Sequence, residues 1–279
     1  MTQQYTAGEG VESAPDEKLQ IRVSGLAGGP TLIYLPGIHG DWTLVGPFRA
    51  RIVRSVRFVE FTYPRTLGWS LRDYAAHVLE ALRREGINQG WLLAESFGSQ
   101  VAWAVGELLR EGPQPPRFQM EGIILAGGFP EYPMKMAARW VATWKAWTGN
   151  SGISWAIRLY SRTLQWRLGG DAVGRQSAQE FLSRRTWPDA HAMLHRLHLL
   201  IDYKPSAGIS KLTRPVYYLS GLIDPIVPWF LVKRQLPRVC GSFREAKVLL
   251  CGDHNVLGSA PAQSERQILK WIGVSPKSA

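Results

Sequence analysis

Ser96 stands in Ala94-Glu95-Ser96-Phe97-Gly98, where the apolar run WLLAES (91–96) passes directly into the helical pattern FGSQVAWAVGELLREG (97–112). A turn that tight between a strand and a helix lifts one hydroxyl above the sheet edge. It needs small residues two before and two after, which Ala94 and Gly98 supply. The amide of Phe97, at the start of the new helix, then points to where negative charge would develop on an attacked carbonyl. A serine hydroxyl is a poor nucleophile until a base takes its proton, so a base is required elsewhere in the chain. Of six histidines, His254 in CGDHNVL follows a late apolar run directly, where a loop can carry it over the sheet edge. A neutral imidazole in turn needs an orienting acid. Asp224 in GLIDPIVP follows another strand-like run and is stiffened by Pro225 and Pro228. Asp253 is a weaker candidate, because adjacent side chains seldom point the same way.

The elements that would have to position these groups are legible in the periodicity. Leu19, Ile21 and Val23 alternate as in a half-buried strand, and TLIYLPG (31–37), VRFVEFTYP (56–64), WLLAES (91–96), FQMEGIILAGGF (118–129), RPVYYLSG (214–221) and REAKVLLCG (244–252) read as further strands. Helices are expected over 71–86, capped by Ser70 and closed at Gly86, over 97–112, and over 259–272. Strands and helices alternating at this spacing imply an α/β domain with a mostly parallel sheet covered on both faces. Ser96, Asp224 and His254 would each follow a strand at its carboxyl end, where open sheets of this kind place their sites.

The order Ser96, Asp224, His254 is that of the α/β-hydrolase arrangement. With LPGIHGD (35–41), AESFG (94–98), GLIDPIVP (221–228) and GDHNVL (252–257) in sequence, the chain resembles the α/β-hydrolase superfamily over residues 19–272, in a branch with an LPG-type loop and an AESFG elbow. The resemblance implies that Pro36-Gly37 takes the place of the family's His-Gly dipeptide. The backbone amides of Ile38 and Phe97 would then form the oxyanion hole, and departure from the dipeptide leaves the first of these open to a shift of one residue. It implies a serine esterase acting on a small-molecule carboxylic ester through an acyl-enzyme, with no cofactor and no metal. Thioester cleavage, C–C bond hydrolysis and acyl transfer to another acceptor would use the same three side chains. A binding protein that keeps the residues without turnover is the reading from another class.

Residues 131–212 break the rhythm between two strands, and read as a helical cap inserted into a core of 19–130 and 213–279, behind a polar tail at 1–18. Trp140, Trp144 and Trp147 repeat at one helical stripe with Met136, followed by Trp155 and Trp166 with Arg158 and Arg162. A helix packed on the core is the plain expectation, and Trp140, Trp144 and His39 are the candidates to line a pocket for a hydrophobic moiety. The insertion holds 12 Lys/Arg and 5 Asp/Glu, seven of the chain's net +11, which would favour an anionic substrate tail. His39 and Asp41 are polar loop residues expected to stabilise that loop.

The composition excludes several classes. With 279 residues, 45% hydrophobic and 20% charged, the chain has the length and make-up to bury a core without disulfides or metal. No basic run or nucleic-acid-binding motif accompanies the charge, so no nucleic-acid partner is expected. His191, His195 and His198 share a helix face but lack the glutamate of an HExxH site. Cys240 and Cys251 read as free thiols, Cys251 as a buried one. The opening MTQQYTAGEGVESAPDEK has no apolar stretch and no run reaches membrane-spanning length, from which we expect a soluble, cytoplasmic chain.

Overall fold

A computed structural model describes residues 18–113, 116–140, 172–204 and 207–275. Seven strands form one sheet: β1 (Gln20–Gly25), β2 (Thr31–Leu35), β3 (Arg57–Thr62), β4 (Gln89–Glu95), β5 (Gln119–Ala126), β6 (Val216–Gly221) and β7 (Phe243–Leu249). Their order across the sheet is β1-β3-β2-β4-β5-β6-β7. All neighbours are parallel except β1, which runs antiparallel to β3 at the edge.

The central strands are apolar on both sides because both faces are covered. In β2, Ile33 and Leu35 belong to one apolar cluster and Leu32 and Tyr34 to the other; in β5, Ile123 and Leu125 oppose Ile124 and Ala126 in the same way. One face carries α2 (Leu71–Arg84), α3 (Gly98–Glu111) and α6 (Trp229–Val239); the other carries α1 (Gly46–Ile52), α7 (Val256–Ser259) and α8 (Pro261–Trp271). Full burial of a side chain of this kind is worth about 1.5–3 kcal/mol, so strands apolar on both sides are stable only with helices over both faces of the sheet.

Local sequence explains where the helices begin. The Ser70 side chain accepts from the Asp73 amide while the Asp73 carboxylate accepts from the Ser70 amide, a reciprocal cap on α2. Gly86, just past its end, has φ +64, a conformation that glycine adopts without strain. The strands match expectation within a few residues. Three core helices, α1, α6 and the four-residue α7, are not anticipated by the sequence periodicity. The first is only 7 residues long, and the second contains Pro237, ordinarily a helix breaker.

Between β5 and β6 the described chain is helical at 135–140, in α4 (Ala172–Ser183), in α5 (Trp187–Asp202) and in a single turn at Ala207–Ser210. The expected tryptophan stripe falls mostly outside the described residues, as do Trp144, Trp147, Trp155, Trp166, Arg158 and Arg162. Its two described members are not buried against the core: Met136 is 69% and Trp140 77% exposed. The tail over 1–17 also lies outside.

Cys251 corrects the sequence reading. It is exposed, because β7 ends at Leu249 and the thiol sits in the turn beyond the strand. Cys240 is buried, and both are free. Among the described residues no helix is long and apolar enough to cross a membrane, and no group of three potential ligands could hold a metal ion.

Candidate active site

Four loops meet at the carboxyl ends of parallel strands. Ser96 follows β4, Asp224 follows β6, His254 follows β7, and Pro36–Asp41 follows β2. The join at Ser96 has φ 48, in the left-handed region that side chains other than glycine seldom adopt. Its backbone is overdetermined. The Ser96 amide donates to the Ala126 carbonyl at 3.1 Å, and the Ser96 carbonyl accepts both the Ser99 amide at 2.9 Å and the Ser99 hydroxyl at 2.6 Å. Gly98 must be glycine for a packing reason as well, since a Cβ there would overlap the Leu35 carbonyl of β2.

The three side chains singled out by type and order lie in a line. His254 Nε2 is 2.9 Å from Ser96 Oγ, and His254 Nδ1 is 2.9 Å from Asp224 Oδ2. The other Asp224 oxygen accepts the amides of Ile226 at 2.9 Å and Val227 at 2.8 Å, which hold the carboxylate still. The Asp224 side chain is fully buried, whereas that of His254 is 17% exposed. The main-chain amide of Asp253 donates to the Ser259 hydroxyl at 3.1 Å. Burial alone would draw the His254 imidazole below its usual 6.5. The hydrogen bond to Asp224 and its charge, with Glu95 and Asp253 beyond, more than offset burial and leave the ring raised.

Beside Ser96, the Gly37 carbonyl accepts the Gly40 amide at 3.0 Å and closes a tight turn. A Cβ on Gly37 would lie 3.5 Å from Ser96 Cβ, so the turn abuts the serine. The amides of Ile38 and Phe97 have no acceptor among the described residues, while those of Ser96, Ser99 and Gln100 are all taken. His39 sits in this turn, its ring edge-on to Phe181 of α4 at 6.0 Å between centroids, and its Nε2 is buried with no partner. Burial lowers its pKa below 6.5 against the pull of Glu95 and Asp41, so the ring is neutral at neutral pH.

Sequence reasoning missed what holds this loop. Arg185, between α4 and α5, pairs with Asp41 and donates to the His39 carbonyl at 3.2 Å. Arg196 of α5 donates to the Ile38 carbonyl at 3.0 Å. One available signal was position: Arg196 falls in the helical stripe of Ala192 and Leu200, the stripe that α5 buries.

Residues 32–266 match the sequence model of the alpha/beta hydrolase family. The chain belongs to the alpha/beta hydrolase family. No curated protein matches the sequence. Among solved structures, this alpha/beta hydrolase is similar to an esterase from Exiguobacterium antarcticum at 14% identity, covering 91% of this chain and 95% of that one, with a TM-score of 0.71. It is also similar to a thermophilic esterase from Thermogutta terrifontis, at 18% identity over 91% and 93% of the two chains with a TM-score of 0.68. An esterase from Rhodococcus sp. aligns at 17% identity over 93% and 95%, again at 0.68. At these identities the likeness is one of fold.

Proposed function

We propose that this alpha/beta hydrolase is a serine esterase that cleaves a small-molecule carboxylic ester bearing a hydrophobic moiety. The observation that carries the reading is the pair of 2.9 Å contacts linking Ser96 Oγ, His254 and Asp224 at a strained strand-to-helix turn. Strain at a serine is seldom retained unless the geometry is used.

Ser96 Oγ attacks the ester carbonyl carbon as His254 Nε2 takes its proton, and Asp224 holds the Nδ1–H and steadies the resulting imidazolium. The amides of Ile38 and Phe97 receive the negative oxygen of the tetrahedral intermediate. Collapse breaks the carbon–oxygen bond to the leaving group, which takes the proton from His254 Nε2 and departs as an alcohol. Water then attacks the acyl carbon, giving a proton to His254. The second intermediate collapses to the acid, and the proton returns to Ser96 Oγ.

The apolar preference is supported by the loop that bears Asp224, where Leu222, Ile223 and Ile226 are 42%, 59% and 43% exposed. A pocket role for His39 fits its neutral ring and unpartnered nitrogen; Trp140 and Trp144 would contribute from the 131–212 cap, between the two parts of the core. The basic charge of that cap gives less support to an anionic tail than the sequence suggests. Lys135 pairs with Glu131, Arg184 with Glu180 and Arg185 with Asp41, so these three cations are already answered within the protein.

A fluorophosphonate probe and a series of p-nitrophenyl esters of increasing chain length test the reading. Stoichiometric labelling at Ser96, lost with turnover in Ser96→Ala, is expected. Well-folded protein that neither labels nor hydrolyses any ester of the series would sink it.

A further inference from the structure

Arg196 is 2% exposed, and heads the largest fully buried side chains among the described residues. A guanidinium at such depth is retained only where its N–H groups and charge are met. Main-chain oxygens meet them. Nη1 donates to the Ile38 carbonyl at 3.0 Å, Nη2 to the Pro64 carbonyl at 2.9 Å, and Nε reaches the Tyr74 hydroxyl at 3.4 Å. Arg185, whose side chain is 4% exposed, donates Nη1 to the His39 carbonyl at 3.2 Å, Nε to the Phe181 carbonyl at 3.1 Å, and Nη2 to Asp41.

Consecutive carbonyls of one loop are therefore held by two arginines that enter from outside the core. A trans peptide directs its N–H opposite its C=O. The Gly40 amide fixes the Gly37 carbonyl and hence the direction of the Ile38 N–H. The arginines fix the next two peptide planes, at Ile38 and His39. Gly40 serves this arrangement twice. Its φ of +84 makes the turn, and a Cβ there would lie 2.6 Å from Arg196 Cζ, excluding the guanidinium.

We propose that Arg196 and Arg185 are positioning residues for the oxyanion hole, holding the Pro36–Asp41 loop so that the Ile38 amide faces the carbonyl attacked by Ser96; this rests on the hydrolytic reading above. Arg196 ties that loop to the chain after β3 through Pro64, so the loop cannot drift without breaking both bonds. The segment between β5 and β6 thereby braces the site, in addition to any cover it gives.

Arg196→Met, Arg196→Lys and Arg185→Met, compared with wild type, test the proposal. Arg196→Met is expected to lower kcat by about 10- to 100-fold with KM held within about threefold, since a donor displaced by an ångström loses its effect chiefly in the transition state. A trifluoromethyl ketone, which forms an oxyanion when Ser96 adds to it, should bind more weakly by the same factor. Amide exchange should accelerate in peptides covering 36–41 while β4 and α3 keep wild-type protection. Lysine can serve one of the two carbonyls, so Arg196→Lys recovers part of the lost kcat. Should Arg196→Met fail to fold, Arg185→Met and Asp41→Asn read the same quantities at the other arginine. Folded variants with wild-type kcat and ketone affinity overturn the proposal, as does a fall in kcat accompanied by uniform loss of protection. Wild-type protein that hydrolyses no ester and takes no fluorophosphonate overturns the hydrolytic reading itself, whereas active wild type with fully active variants overturns the positioning alone.

Discussion

Ser96, His254 and Asp224 are far apart in the chain, yet each needs something different from its surroundings. Ser96 needs an outlying backbone angle, Asp224 two amides to fix it, and His254 a carboxylate strong enough to outweigh its own burial. The raised imidazole has a consequence for activity. On the proposed mechanism His254 must be neutral to accept the Ser96 proton, so kcat/KM should rise with pH along an acid limb whose midpoint lies above 6.5. In Asp224→Asn the two largest raising influences vanish and burial dominates, so the midpoint should move down while kcat falls by about 10⁴-fold. A pH–rate profile of both proteins checks the pair of expectations. The same shift has the opposite sign for stability. The His254–Asp224 attraction stabilises the fold fully below the unfolded imidazole's pKa, and is lost as pH rises through the raised folded one.

At the scale of elements, the turn between β4 and α3 works because two backbones come together. Gly98 lies against the Leu35 carbonyl, at the end of the strand that leads into Pro36–Asp41. Gly98→Ala should therefore act on both sides of the site. We expect a loss of about 1–3 kcal/mol in chemical denaturation from the forced separation. Esterase activity should fall more than stability alone explains, because the shift carries the Ile38 amide with it. The cap of α2 is a contrasting case, remote from the chemistry. Ser70→Ala should cost about 1 kcal/mol in the same assay and leave kcat unaltered, since Ser70 bonds only within its own first turn. The helices invisible to periodicity fail for identifiable reasons. α1 is short, and α6 buries only Val232 and Leu236 while tolerating Pro237 near its end.

Across the whole molecule, the segment between β5 and β6 is tied to the core by polar contacts at several points. Asp41 pairs with Arg185, Arg65 with Asp189 at 2.8 Å, and His195 Nε2 lies 2.8 Å from the Trp69 carbonyl. His195 is thus engaged with backbone. Burial alone would raise Asp41, but Arg185, His39 and the Thr43 hydrogen bonds lower it from 3.8 to about 2. A depressed carboxylate contributes stability that is present above its unfolded pKa and is lost as pH falls through the folded one. The shift corresponds to roughly 2 kcal/mol. Asp41→Asn should therefore be less stable than wild type by about that amount near neutral pH, with the gap narrowing between pH 4 and about pH 2. Denaturation midpoints of the two proteins at stepped pH values decide the matter.

What the order of residues alone determined is whatever repeats or recurs locally: seven strands with their apolar runs, the cap at Ser70, the small residues flanking Ser96, and the order of serine, acid and base. These are legible because burial of both sheet faces and the sterics of a tight turn constrain each residue through near neighbours. Whether Asp224 or Asp253 faces His254 was settled only by the fold, because that choice depends on how the loops after β6 and β7 meet. Cys251 came out exposed for a similar reason, its strand ending at Leu249 and not at residue 252 as its apolar neighbours suggest. Arg185 and Arg196 mark the limit most clearly. By residue type a charged side chain counts as solvent-facing, and the carbonyls of Ile38, His39 and Pro64 that they hold lie some 130 to 160 residues away in the chain. Backbone oxygens leave no pattern in side-chain types, so only the tertiary structure could show that those two cations are buried against the loop beside Ser96.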